Sequence, residues 1–231
     1  LLFATGLLLL MALVAAGTVR TGQLLRTWTP SFNVMLSLPE NALRLVLIGA
    51  CVGLGYALGP GTAPLGWQTS HAGLDVELGT IVGVLMAGGF AFAGRAVEHW
   101  WGPEAFEDKL LRCILPAVPR EWPGVLLALL PAAALEELLF RSLPLGGVAA
   151  LPAGRMLPFF LMWPLALFFG LLHWPQGGWG VAGTTLAGLV LSLLFLATGS
   201  IWSALAAHYV LNVLQVVLAQ LTGTRPLRGP T

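Results

Sequence analysis

Seven stretches of this chain stay apolar for the length of a membrane span: 1–19, 42–59, 77–95, 124–143, 156–174, 179–198 and 200–222. No other feature limits the fold so strongly. About 20 residues rising 1.5 Å each cross the ~30 Å hydrocarbon core of a bilayer. Inside that core a helix satisfies every backbone N–H and C=O within its own segment. Composition agrees: 57% of residues are hydrophobic and 9% charged, where soluble domains run near a quarter charged. The expectation is an all-α integral membrane protein of about seven transmembrane helices, forming a single membrane domain over 1–231. Residues 1–19 carry no charge, exceed the usual signal-peptide core and show no clear cleavage site, so they read as a spanning helix.

Basic residues orient the bundle. With the first helix running inward, Arg20, Arg26, Arg95, Lys109, Arg112, Arg120, Arg225 and Arg228 all fall in cytoplasmic loops, with Arg44 at the same boundary. Only Arg155 lies opposite, beside Asp75 and Glu77. This positive-inside bias predicts a cytoplasmic C-terminus. Segment 96–122 interleaves Trp100, Trp101, Phe106, Leu110, Leu111 and Ile114 with charges, which predicts a cytoplasmic-face amphipathic helix. Gly49, Gly53, Gly55, Gly83, Gly88 and Gly89 in the early spans predict close helix contacts. The net charge of +1 implies no nucleic-acid partner. Cys51 and Cys113 lack ligand spacing and read as buried free thiols.

Ionisable groups inside a bilayer are costly unless they meet partners or water, so they mark function. Three such motifs occur here: Glu136-Glu137-Leu138-Leu139-Phe140-Arg141, Phe169-Gly170-Leu171-Leu172-His173 and His208-Tyr209-Val210-Leu211-Asn212. Glu137 and Arg141 share a helix face and are expected to pair. Glu136 points ~100° away with no cation within a turn on its own side, so it is free to act as a base. Asn212 donates hydrogen bonds without ionising and suits an oxyanion, with His208 on the same face. Glu136, His173 and His208 also make a zinc-type ligand set. His-Glu-x-x-His and Gly-x-Ser-x-Gly are both absent, which removes the usual zincin and serine-elbow patterns.

The three motifs, in this order on successive segments, resemble the CPBP family of type II CAAX prenyl endopeptidases and their Abi-family relatives. The resemblance covers about 122–222 as a catalytic core. It implies an intramembrane endopeptidase in which Glu136 and His173 activate water while His208 and Asn212 form the oxyanion site. Glu137 and Arg141 are then supports. It also implies a membrane-associated or lipidated peptide substrate, a bilayer as surroundings and no cofactor. The compact chain suits a bacterial or archaeal cell membrane. Two rivals remain: a zinc protease on Glu136, His173 and His208, and a non-enzymatic transporter or scaffold using the same groups as proton relay or helix glue. One geometric demand follows from straight helices. Glu136 lies ~18 Å from the cytoplasmic edge and His173 close to it, so tilt, a new helical run opened at Pro131, or a deep cavity must bring them together.

Overall fold

The computed structural model describes residues 1–102, 105, 107–151 and 156–229, and every regular element among them is helical. Phe106 and Arg155 lie outside the described residues. In chain order the helices are α1 (Leu2–Thr27), α2 (Leu38–Leu58), α3 (Ala72–Trp101), α4 (Lys109–Ile114) and α5 (Trp122–Glu137). α5 continues as a π-helical segment, Leu138–Gly146, and then α6 (Gly147–Ala149). The remainder are α7 (Leu157–Leu172), α8 (Gly177–Thr198) and α9 (Ile201–Leu221).

Six of the described helical stretches are long and apolar enough to cross a membrane, Pro119–Ala149 counting as one. The seventh expected span, 156–174, is the exception. α7 is apolar but has only 16 residues, about 24 Å at helical rise. His173 leaves helical geometry at φ −94°, ψ 16°, and Pro175 follows. A proline there cannot donate back into the helix, so the chain turns through Trp174–Gln176 into α8.

The amphipathic helix expected over 96–122 does not form as one unit. α3 runs on through Trp100 and Trp101 and stops at Gly102, whose φ of +84° is readily reached by glycine alone. Among the described residues beyond it, Lys109–Ile114 forms a short α-helix, and a tight turn, Pro119–Glu121, leads into α5. Pro116 and Pro119 interrupt what hydrophobic periodicity alone would continue.

α3 packs along α9 and α7 along α8, while α1 and α2 brace α5 and its extension. Among the glycines expected at contacts, Gly83 sits so close to α9 that a Cβ would lie 2.6 Å from the Ala207 carbonyl. Gly49, Gly53, Gly88 and Gly89 instead have open space around them. The main core joins Leu7, Met11 and Cys51 to Leu138, Leu139, Phe140, Leu143, Phe169 and Phe195. Cys51 and Cys113 are buried and free, and burial pushes the Cys113 thiol above its ordinary pKa.

Arg26, Lys109, Arg112 and Arg228 collect at one end of the bundle. There the Arg26 guanidinium lies 4.6 Å from the Trp174 ring centroid, and Lys109 donates to the Leu25 carbonyl. Arg228 donates to the carbonyls of Leu115 (2.8 Å) and Cys113 (3.2 Å), tying the C-terminal tail to α4.

Candidate active site

Glu136 and Glu137 close α5, just before the backbone widens into the π-helical segment. Pro131 does not open a new run: α5 passes through it, and the departure from α-geometry comes after the glutamate pair. Single π turns inside α-helices recur at functional sites, because the extra residue per turn re-aims side chains. Here that segment carries Arg141.

Glu137 and Arg141 pair as expected, with Arg141 Nη1 donating to Glu137 Oε1 at 2.9 Å. Both side chains are sealed from solvent, at 0% and 1% exposure, so neither charge is met by water. Arg141 gains two further contacts. Its Nη2 donates to the Gly188 carbonyl at 3.3 Å, and its guanidinium stands 4.7 Å over the Phe169 ring. Burying such a pair is sustainable only where the remaining donors and acceptors also find partners. Two atoms do not: Glu137 Oε2 and Arg141 Nε have no hydrogen-bond partner among the described residues.

His208 comes from α9 and lies between the two glutamates. Its Nδ1 is 2.6 Å from Glu137 Oε1, and its Nε2 is 3.5 Å from Glu136 Oε2. An ionised carboxylate only accepts, so Nδ1–H donates to Glu137 and Nε2 faces Glu136. Sequence spacing misses this contact, since it spans two helices far apart in the chain. Glu136, which has no cation within a turn of its own helix, therefore meets a histidine from a neighbouring one. The two carboxylates differ in access: the Glu136 side chain is 32% exposed and that of Glu137 is 0%. Only Glu136 is open to an incoming water.

His173 joins the cluster through an aromatic ring. Its Nδ1 lies 2.8 Å from the Phe169 carbonyl oxygen. A carbonyl also only accepts, so that ring nitrogen carries a proton and, in the neutral ring, Nε2 is the acceptor. The Phe169 ring is 4.7 Å from the His173 ring and 6.1 Å, edge-on, from the His208 ring. Phe169 thus touches both imidazoles and the Arg141 guanidinium, a role that its place in the motif signals only as a shared helix face. It is the Phe169 ring, one turn before His173, that links the end of α7 to His208.

Asn212 lies one turn beyond His208 on α9 and is half-buried. Among the described residues no hydrogen bond joins its amide to the cluster. Close packing sets the far wall. Gly170 of α7 abuts Val181 and Thr185 of α8, and a Cβ at Gly188 would lie 3.2 Å from Ala166. The zinc reading needs Glu136, His173 and His208 to converge. Among the described residues, no group of three His, Cys, Asp or Glu side chains is arranged to hold a metal ion.

Residues 118–214, which contain all three motifs, match the family model described as type II CAAX prenyl endopeptidase Rce1-like. No curated protein and no solved structure matches the chain.

Proposed function

We propose, from the Rce1-like domain at residues 118–214 and the protease family it represents, that this chain hydrolyses a peptide bond inside the membrane through a glutamate-activated water. The observation that supports this most is the His208 bridge: one buried, arginine-paired carboxylate on Nδ1 and one accessible carboxylate facing Nε2. Such a pair divides the labour. Glu137 orients the imidazole, and Glu136 is left to meet water.

In this reading Glu136 takes a proton as the water oxygen attacks the scissile carbonyl carbon and the C=O electron pair moves onto oxygen. His173, with Nδ1 held by the Phe169 carbonyl, presents Nε2 to the same water. The Asn212 amide donates to the oxyanion, and His208 joins it when Nε2 also carries a proton. Collapse of the intermediate restores the carbonyl and breaks the C–N bond. The amine departs with the proton shuttled between Glu136 and His208.

The substrate proposed is a membrane-associated or lipidated peptide, because the catalytic groups lie in apolar helices that a free soluble peptide does not reach. The orientation proposed puts the basic end, with the C-terminus, in the cytoplasm of a bacterial or archaeal cell. The decisive experiment assays purified protein in bilayer discs against a panel of lipidated and unmodified peptides. Cleavage by the parent, its loss in Glu136→Gln and its persistence under chelator are expected. Loss under chelator with recovery on adding zinc would replace the glutamate mechanism by the metal one. No cleavage by the parent across the panel would favour a transporter or scaffold.

A further inference from the structure

The segment carrying Arg141 is stitched to the loop between α2 and α3, at the end of the bundle away from the basic residues. Ser142 is fully buried. Its hydroxyl donates to the Leu65 carbonyl at 2.7 Å and accepts from Trp67 Nε1 at 2.8 Å. Leu65 is itself fully buried. The neighbouring Gly66 carbonyl accepts from the backbone of Ile201, the first residue of α9, at 3.0 Å. At the far end of the π-helical segment, a Cβ on Gly146 would lie 2.5 Å from the Pro64 carbonyl. One loop thus presses on the helix that carries Arg141 at two points and on the start of the helix that carries His208.

A serine within a helix ordinarily bonds back to a carbonyl of its own preceding turn. Ser142 bonds to the loop instead, which fixes its rotation about the helix axis. Arg141 is the adjacent residue, so the same constraint sets where the guanidinium points. A π turn is a poorer arrangement than the α-helix it interrupts and persists only where surroundings hold it. Without the serine hydroxyl, the Leu65 carbonyl and the Trp67 N–H lose their partner. The widened turn can then relax, carrying Arg141 away from Glu137 Oε1, the atom that also holds His208.

We infer that Ser142 and Trp67 are positioning residues for the proposed hydrolysis, locking the π-helical register that aims Arg141 at Glu137 and, through it, His208 at Glu136. This rests on the glutamate mechanism above, and the test separates the two. Ser142→Ala and Trp67→Phe are compared with the parent and with Glu136→Gln in bilayer discs. Turnover is measured alongside the ¹⁵N imidazole resonances of the four histidines, with His208 assigned by its loss in His208→Gln. Both variants are expected to lower kcat roughly 10- to 100-fold, as small misplacements do, with KM nearly unchanged and the His208 resonances moved. Trp67→Phe keeps an aromatic ring and the Ser142–Leu65 bond while removing the Nε1–H donor, so it carries the test if Ser142→Ala fails to fold. Parental kcat, or a reduced kcat with His208 resonances unmoved, would overturn the inference. Full activity in Glu136→Gln would instead overturn the mechanism, while the His208 resonances would still report on the stitch.

Discussion

His208 contacts two adjacent glutamates that differ in burial, Glu137 at 0% and Glu136 at 32% side-chain exposure. Glu137 has no exposed surface and accepts from both Arg141 and His208. Glu137→Gln therefore replaces an acceptor-only group that two donors need. Breaking a buried pair from one side costs about 3–5 kcal/mol, because the other charge stays buried. The expected outcome is a lower unfolding temperature together with lost activity. Glu136→Gln should leave the unfolding temperature close to parental and abolish turnover, since among the described residues its only polar contact is the long one to His208. Asn212→Ala is expected to lower kcat by about 10²–10³ with a much smaller change in KM, as for one lost oxyanion donor. His208→Ala should fall at least as far, because it also removes the partner of Glu137. The double variant should be less than additive, which steady-state kinetics on the three proteins will establish. Pairing of Glu137 with Arg141 was legible from their spacing on one helix. The His208 contact was not, since nothing local relates α9 to the end of α5.

The helices differ from their hydropathy outlines where proline, glycine or a tertiary contact overrides them. α7 is cut short by its turn at His173 and Pro175, and α3 is extended to Gly102. The π-helical segment has no signature in a hydropathy profile; Pro144 lies within it, and its loop partner is remote in sequence. Gly146 gives a direct check on that partnership. An added methyl would meet backbone at 2.5 Å, and backbone cannot swing aside as a side chain does. Gly146→Ala is expected to cost about 1–3 kcal/mol, the usual range for overpacking. Lower thermal stability in the same discs would be the readout. At an open glycine such as Gly88, the same change should be neutral or slightly stabilising, because the residue lies inside α3 where alanine is the better helix former.

Across the molecule, charge and packing are arranged end to end. Arg26, Lys109, Arg112 and Arg228 gather at one end, and there they tie α1, α4, α8's lead-in turn and the C-terminal tail together. The other end is closed over the π-helical segment by the loop that contains Leu65 and Trp67. If the basic end is cytoplasmic, a reporter fused after Thr231 that works only in the cytoplasm will be active, and one that works only outside will be silent. The reverse result would invert the orientation of the whole bundle, since every other loop follows from it.

What the chain determined alone was its class and the polar groups that stand out as candidates for chemistry. Runs of about 20 apolar residues demand helices in a bilayer whatever surrounds them. Ionisable groups left inside those runs identify themselves by their cost. Both effects are local, or sums of local terms, and can be read from consecutive residues. Tertiary structure decided the rest: which glutamate faces solvent, which nitrogen of His208 faces which carboxylate, and that Phe169 sits against both imidazoles. Those depend on the relative rotation and height of α5, α7 and α9. Side chains from helices separated by long stretches of chain set that rotation by packing, and no periodicity within one helix encodes it.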